Sequence, residues 1–359
     1  MYPRVNYLEW AIQNVGRTAF DLATSGMPAF SLSELGPPPD LDDARARPAL
    51  VAAIAHHNGV TPDETIATIG AAHAIWIAYA SLLAPGDELL VEEPAYEPLL
   101  TTARGIGAHV TRFPRPANAD YAVDPELIAP RITERTRAVL ITNLHNPSGR
   151  RTDDETLREV ARLIGERGGH LIVNEIYSPF DDFVDKDGVF RGCARHLADN
   201  VVVVSSMTKC YGLGTHRFGW VLGPVDVIRR AYATMMSSAG YLPLPHAQLF
   251  IHALSHIQTL AARSRRLLAD KRARASAWLA QEQPRFAWSG PQSGLFGLAT
   301  LPGAGDLRLA LEKGAAEHGA LVVPGSFFEV PNGFRLSWSI DDPRLDEGLD
   351  RLGRILRSL

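Results

Sequence analysis

The chain has 359 residues, of which 46% are hydrophobic and 21% charged, an ordinary globular composition and, at about 150 residues per domain, a prior of roughly two domains. The net charge of −4 and the lack of a basic cluster with interleaved aromatics argue against a nucleic-acid protein. Two cysteines, Cys193 and Cys210, exclude a disulfide scaffold, and no apolar run has the length needed to span a bilayer. The opening residues, MYPRVNYLEW, contain no apolar core and no small-residue cleavage site, so a cytoplasmic protein without a secretory leader is expected.

In chain order, the residues before Gly36 are too few to fold alone and are expected to pack on the C-terminal part. Gly36-Pro37-Pro38-Pro39-Asp40 marks a boundary, because it cannot continue a helix or a central strand. Pro48 to His57 reads as a helix opened by a first-turn proline. Ala72 to Leu83 is Ala-rich and apolar at helical spacing. Pro85-Gly86-Asp87 turns the chain into a short apolar run, Glu88 to Val91. Arg137–Thr142, His170–Val173 and Asn200–Val204 are continuous apolar runs of strand length, which suits strands buried on both faces of a parallel sheet. Between the first two lies an amphipathic helix, Asp153 to Arg167, with Thr152-Asp153-Asp154-Glu155 as caps and first-turn acids. This alternation predicts an open α/β sheet covered by helices. Such sheets bind ligands at the carboxyl ends of their strands.

A second break falls at Gly240 to Pro245. Beyond it, His246 to about Gln281 reads as helix with one bend. Gly294–Thr300 and Asn332–Ser339 read as strands, and Asp306–His318 and Leu345–Leu359 as helices. The expected organisation is a large domain over residues 41–235 and a smaller α+β domain built from 1–40 and 236–359.

The richest segment is Ser205-Ser206-Met207-Thr208-Lys209-Cys210-Tyr211-Gly212-Leu213-Gly214-Thr215-His216-Arg217. It follows a predicted buried strand directly, so Lys209 is placed where such a sheet binds its ligand. Hydroxyls, glycines and an arginine around an amine make an anion cradle beside a nucleophile. A lysine forms Schiff bases with carbonyl compounds, and pyridoxal phosphate (PLP) is both a carbonyl compound and a phosphate. A lone lysine in a glycine-rich loop would read as surface; three further segments fit the same cofactor.

With these residues the chain resembles the class I/II aminotransferases, which are fold type I PLP-dependent enzymes, from about Asp21 to Ser339. The family's lysine motif is present as Ser206-x-Thr208-Lys209 with Arg217 eight residues on. The resemblance implies that Lys209 forms the internal aldimine and that Ser206, Thr208 and Arg217 bind the phosphate. Asn143-Leu144-His145-Asn146-Pro147-Ser148-Gly149 is similar to the family's Asn-Pro-Thr-Gly turn. It gives Asn146 to the cofactor's phenolic oxygen and to substrate; His145 reads as packing. Gly70-Ala71-Ala72 opens a helix where the family places backbone N–H groups on the phosphate, at Ala71 and Ala72. Pro94-Ala95-Tyr96 resembles the segment whose aromatic ring stacks on the cofactor; Tyr96 is therefore the stacking and catalytic candidate beside Lys209. Phe334-Arg335-Leu336-Ser337 is similar to the family's Arg-Leu-Ser strand, which makes Arg335 the clamp for the substrate carboxylate. Gly26 matches the glycine that lets substrate pass close to the backbone.

The resemblance implies a mostly parallel mixed sheet covered by helices, a homodimer, and transfer of an amino group from an L-amino acid to a 2-keto acid through an external aldimine and pyridoxamine phosphate. No nucleic-acid or membrane partner and no metal are expected. Two positions depart from the family. Val173-Asn174-Glu175-Ile176-Tyr177 stands where the family reads Asp-Glu-x-Tyr. Tyr177 matches the donor to the phenolic oxygen, but Asn174 replaces the aspartate that faces the pyridine nitrogen. A neutral amide supplies no charge to keep that nitrogen protonated, so a weaker electron sink is expected. Glu175 points to the opposite strand face and does not substitute. This opens an alternative: a PLP-dependent lyase, cyclase or oxidase acting on an amino acid. The second departure lies in Leu41–Arg47, which lacks the tyrosine that family members send to the partner's phosphate, leaving Arg45 or Arg47 as candidates. Met27, Phe30, Tyr241 and Phe327 can line a side-chain pocket or belong to the core.

Overall fold

The computed structural model describes residues 2–37, 39–180 and 184–359; Pro38 of the proline-rich break lies outside them. Helix α1 (Asn6–Asn14), strand β1 (Phe20–Asp21) and helix α2 (Ala46–Asn58) precede the main sheet. That sheet is built from β2 (Thr65–Ile69), β3 (Glu88–Glu93), β4 (His109–Pro114), β5 (Thr136–Thr142), β6 (His170–Asn174), β7 (Val201–Ser206) and β8 (Phe218–Leu222). Its order is β2-β8-β7-β6-β5-β3-β4. Neighbours from β4 to β7 pair in parallel, and β8 runs antiparallel to both β7 and β2.

The apolar runs explain the layers. Successive side chains of a strand point to opposite faces. Val139, Ile141, Leu171, Val173, Val201 and Val203 enter one core, while Ala138, Leu140, Ile172, Val202 and Val204 enter the other. Helices cover both faces. Leu157, Val160, Ala161 and Ile164 of α6 (Asp154–Gly165) join the first core. The second receives α3 (Gly70–Leu82), through Ala74, Ile77 and Ala78, and α7 (Val225–Ser238), through Val227, Ala231 and Met235. Helix α4 (Glu97–Gly105) and the short α5 (Pro125–Ile128) fill connections. As expected for α6, the Asp153 side chain caps its N-terminus by accepting the Thr156 N–H.

The expected singly bent helix after Pro245 is three helices, α8 (Leu244–Ser255), α9 (Ile257–Leu268) and α10 (Lys271–Glu282). The breaks fall at His256 and at Asp270, whose φ of 63° is a left-handed state that Asp tolerates. Strand β3 runs on to Glu93, past the predicted Val91, because Glu92 is buried with its charge matched. Its carboxylate accepts from Arg115 Nη1 at 2.7 Å and from the Thr142 N–H at 2.8 Å. Strands β9 (Ala287–Trp288) and β10 (Phe296–Thr300) precede helix α11 (Arg308–His318), and β11 (Ala320–Leu321), β12 (Val323–Pro324), β13 (Gly333–Ser337) and helix α12 (Asp342–Arg357) follow it. They form a four-stranded antiparallel sheet, β12-β13-β10-β9, backed by α10, α11 and α12. The N-terminal residues pack here. Strand β1 pairs in parallel with β11, and Tyr7 and Trp10 of α1 pack with Val323, Phe327 and Phe328. Among the described residues no helix is long and apolar enough to cross a membrane.

Candidate active site

The loops at the carboxyl ends of β3, β5, β6 and β7 meet the N-terminus of α3 around a cavity of about 340 Å³. Helix α3 gives it Ala71 and Ala72. The loop after β3 gives Tyr96, and the loop after β5 gives Asn146. Asn174 ends β6, and Tyr177 follows. Thr208, Lys209 and Arg217 come from the segment after β7. Gly26 lines an adjoining cavity of about 310 Å³, whose wall also includes Lys209 and Tyr96. Ser206 and Arg335 lie behind these walls, both fully buried. Ser206 Oγ accepts the Thr208 N–H at 3.2 Å and so shapes the turn before Lys209.

The Lys209 amine reaches Ser25 Oγ at 2.9 Å. Burial, reinforced by the positive charges of Arg335 and Arg217, pushes its pKa down to about 8. A substantial neutral fraction is therefore available near neutral pH, as a nucleophile or base requires. Burial raises the Tyr96 and Tyr177 phenols, which stay protonated and can donate hydrogen bonds.

An anion fits opposite the lysine. Arg217 adopts φ 58° and lays its guanidinium against the start of α3. Gly70 allows that approach, for a Cβ there would stand 2.7 Å from Arg217 Nη2. The free N–H groups of a helix N-terminus favour anions. Thr208 Oγ1, on the same cavity, is buried and finds no hydrogen-bond partner among the described residues. A phosphate satisfies all three features.

Arg335 makes the second anion point. Nη1 donates to Asn146 Oδ1 at 2.8 Å, and Nη2 to the Ala23 carbonyl at 3.0 Å and Tyr7 Oη at 3.2 Å. Nε finds no partner among the described residues. Phe296 and Phe328 hold the guanidinium plane, with ring centres 4.9 and 5.0 Å away. A guanidinium with unfilled donors in an aromatic clamp suits a carboxylate.

Asn174 Oδ1 accepts the Ile176 N–H at 3.4 Å, which leaves the amide NH2 as the end for the cavity. Glu175 points away, as strand alternation requires. It accepts the Ala194 N–H at 2.5 Å, and burial pushes its pKa up to about 8.

Sequence reasoning missed Ser25 and Tyr7. Ser25 adjoins Gly26 in a stretch without periodicity, and Tyr7 would have shown only as the apolar face of an N-terminal helix. His145 is fully buried, and its Nε2 donates to the Pro94 carbonyl at 2.9 Å while Nδ1 accepts from Ser148 at 2.7 Å. It ties the Asn146 turn to the segment carrying Tyr96. Of the pocket candidates, Met27 lines the second cavity, Phe30 and Phe327 belong to core clusters, and Tyr241 is exposed. Arg45 pairs with Asp43, and Arg47 donates to the Leu242 carbonyl.

Residues 41–352 match the family described as Aminotransferase class I and II, and the chain belongs to that family. It is a PLP-dependent aminotransferase by family, with pyridoxal phosphate as cofactor and the fold type I architecture. The aspartate/prephenate aminotransferase of Thermus thermophilus is 29% identical over 332 residues, spanning 90% of this chain and 83% of that protein. Capreomycidine synthase of Streptomyces vinaceus is 28% identical over 317 residues, 87% and 78% of the two chains. A PLP-dependent aminotransferase from Streptococcus suis has a matching fold, with a TM-score of 0.88 at 24% identity over 99% of this chain and 98% of that one.

Proposed function

We propose that this chain transfers an amino group from an L-amino acid to a 2-keto acid, with Lys209 as the reactive amine. The observation that supports it is the Lys209 amine, depressed to about pKa 8, on a cavity that Arg217 lines, with Arg335 buried behind its wall. When bound, pyridoxal phosphate supplies a carbonyl group for amines and an electron-withdrawing ring. Arg217, Thr208 and the N–H groups of Ala71 and Ala72 would hold its phosphate, with Ser206 shaping the turn behind them. Tyr96 would stack on its ring, Asn146 and Tyr177 would hold its phenolic oxygen, and Asn174 would face its ring nitrogen. Arg335, braced by Asn146, holds the substrate carboxylate, and Gly26 leaves room for the substrate beside the backbone. The neutral Lys209 Nζ takes the substrate's α-proton and returns it, as general base and then acid.

The same reading makes the chain one half of a homodimer. It assigns residues 41–235 to a cofactor domain and residues 1–40 and 236–359 to a small domain. In support of the division, every strand of the large sheet lies between Thr65 and Leu222.

One observation favours a second reading. An amide NH2 presented by Asn174 donates to an unprotonated ring nitrogen, whereas a carboxylate would keep that nitrogen protonated. The weaker sink suits a lyase, cyclase or oxidase, and capreomycidine synthase is among the similar proteins.

The test is a single-turnover panel of amino acids without a keto acid, with borohydride fixation of the cofactor and peptide mass spectrometry. Transamination releases one equivalent of keto acid per site and stops, and the fixed cofactor maps to Lys209. Continuous formation of another product favours the second reading. Fixation elsewhere overturns the assignment of Lys209.

A further inference from the structure

We propose that Ser25 is a positioning residue for the Lys209 amine, holding it by a hydrogen bond through the chemistry. The inference rests on the reading of Lys209 as the reactive amine. Ser25 lies on the walls of both cavities, at their junction. Its Oγ is 2.9 Å from Lys209 Nζ, and the Tyr177 phenol lies on the same cavity wall.

The serine is held in place from both sides. Asp21 Oδ1 accepts the Ala23 and Thr24 N–H groups at 2.9 and 3.0 Å, and Asp21 Oδ2 accepts from Thr24 Oγ1 at 3.1 Å. On the other side, the Met27 N–H donates to the Lys209 carbonyl at 2.8 Å. Ser25 is thus fixed relative to the backbone of the lysine it touches. The flexible lysine side chain gains a defined end point, and loses rotamers it would otherwise sample.

The chemistry of the pair follows from donor counting. A serine oxygen has two lone pairs, and one of them accepts a Lys209 N–H. The amine can then aim its remaining valence into the cavity. A hydroxyl acceptor also favours the ammonium form. It opposes the groups that disfavour it: the guanidinium of Arg335 from β13, and that of Arg217 beside α3. The Tyr96 and Tyr177 phenols around the amine are neutral, and the Cys210 thiol, which burial keeps protonated, follows Lys209 in the chain. Removing the Ser25 hydroxyl therefore lowers the Lys209 pKa further, by about half a unit to one unit.

The experiment uses the full chain freed of cofactor and the variants Ser25→Ala and Ser25→Thr. Lys209 labelling by an amine-reactive reagent is followed against pH by peptide mass spectrometry. Reloading with pyridoxal phosphate and borohydride fixation checks that each variant is folded and that Lys209 still bears the cofactor. The expected result is a labelling midpoint lower in Ser25→Ala by that amount and restored in Ser25→Thr. An unchanged midpoint in Ser25→Ala, or an equal fall in both variants, overturns the proposal. Failure of the cofactor to fix on Lys209 in the unsubstituted chain would instead defeat the reading of the site, while leaving the midpoint comparison readable.

Discussion

Replacing Gly70 by alanine should weaken cofactor binding without unfolding the protein. Gly70 sits at φ +75° as the first residue of α3, and a Cβ there would lie 2.7 Å from Arg217 Nη2 and 2.9 Å from Cζ. The contacted atoms are the free end of a long side chain, so the guanidinium can turn away. The left-handed backbone costs an L-residue about 1–2 kcal/mol, which appears as lost stability. The displaced guanidinium removes charge-assisted hydrogen bonds worth about 1.5–3 kcal/mol, or roughly 10- to 150-fold in affinity. Equilibrium titration with pyridoxal phosphate, followed by absorbance, reads the second quantity, and thermal unfolding of the cofactor-free chain reads the first. Gly219→Ala provides the contrast. A Cβ at Gly219 would meet Gly70 C at 2.6 Å and Gly70 Cα at 2.7 Å. Those atoms belong to backbone that cannot turn aside, so the loss is mainly in stability, about 1–3 kcal/mol. Wild-type affinity in Gly70→Ala would refute the placement of the phosphate between Arg217 and α3.

Three further outcomes are expected. Arg335→Lys keeps the charge but loses the fork, and should raise the apparent Michaelis constant for amino acids about 10- to 100-fold; pyridoxal phosphate content measured alongside should not change, and an equal loss of both would make Arg335 structural. Asn174→Asp should speed keto-acid release by on the order of tenfold, about one pKa unit of added support for a protonated ring nitrogen, whereas a large drop in single-turnover rate would favour the second reading. Glu175→Gln should flatten the pH dependence of stability. The folded carboxyl, at about 8, holds its proton more tightly than the ordinary value of 4.5, so its contribution is complete below that value and is lost as pH rises toward 8. Melting temperatures across this window should fall less steeply in the glutamine variant, and identical slopes would show that Glu175 does not titrate there.

The centre of the sheet was legible because burial on both faces leaves an uninterrupted apolar run, as in Val201–Val204. The flanks were not. Strand β2 reads Thr-Ile-Ala-Thr-Ile, too mixed to separate from the helix it leads into. Strand β4 is an edge strand with polar residues and a closing proline. Strand β8 was hidden within the lysine motif, since Arg217 is followed at once by Phe218. Residues recognised by resemblance mostly converge because each follows the carboxyl end of a strand in one sheet. Ser25 and Tyr7 come instead from the first turns of the chain, brought in by tertiary contacts that leave no local pattern.

Those contacts explain why the N-terminal segment belongs to the site and is more than a cover over it. Glu97, next to Tyr96, accepts the Asn6 and Tyr7 N–H groups at 3.1 and 2.6 Å and so caps α1. The Tyr7 ring meets the Tyr96 ring edge-on at 5.3 Å between centres, while its hydroxyl touches Arg335. Arg335 in turn bonds Asn146, whose neighbour His145 holds the Pro94 carbonyl just before Tyr96. The loop closes on itself: Tyr96, Tyr7, Arg335, Asn146, His145 and back. The carboxylate point and the ring that faces the cofactor cavity are thereby positioned by one set of buried contacts. Substitution of His145, which ties the Asn146 turn to the segment carrying Tyr96, should therefore move substrate and cofactor readouts together, whereas Arg335→Lys, which keeps a cation at the carboxylate point, should move the substrate readout alone.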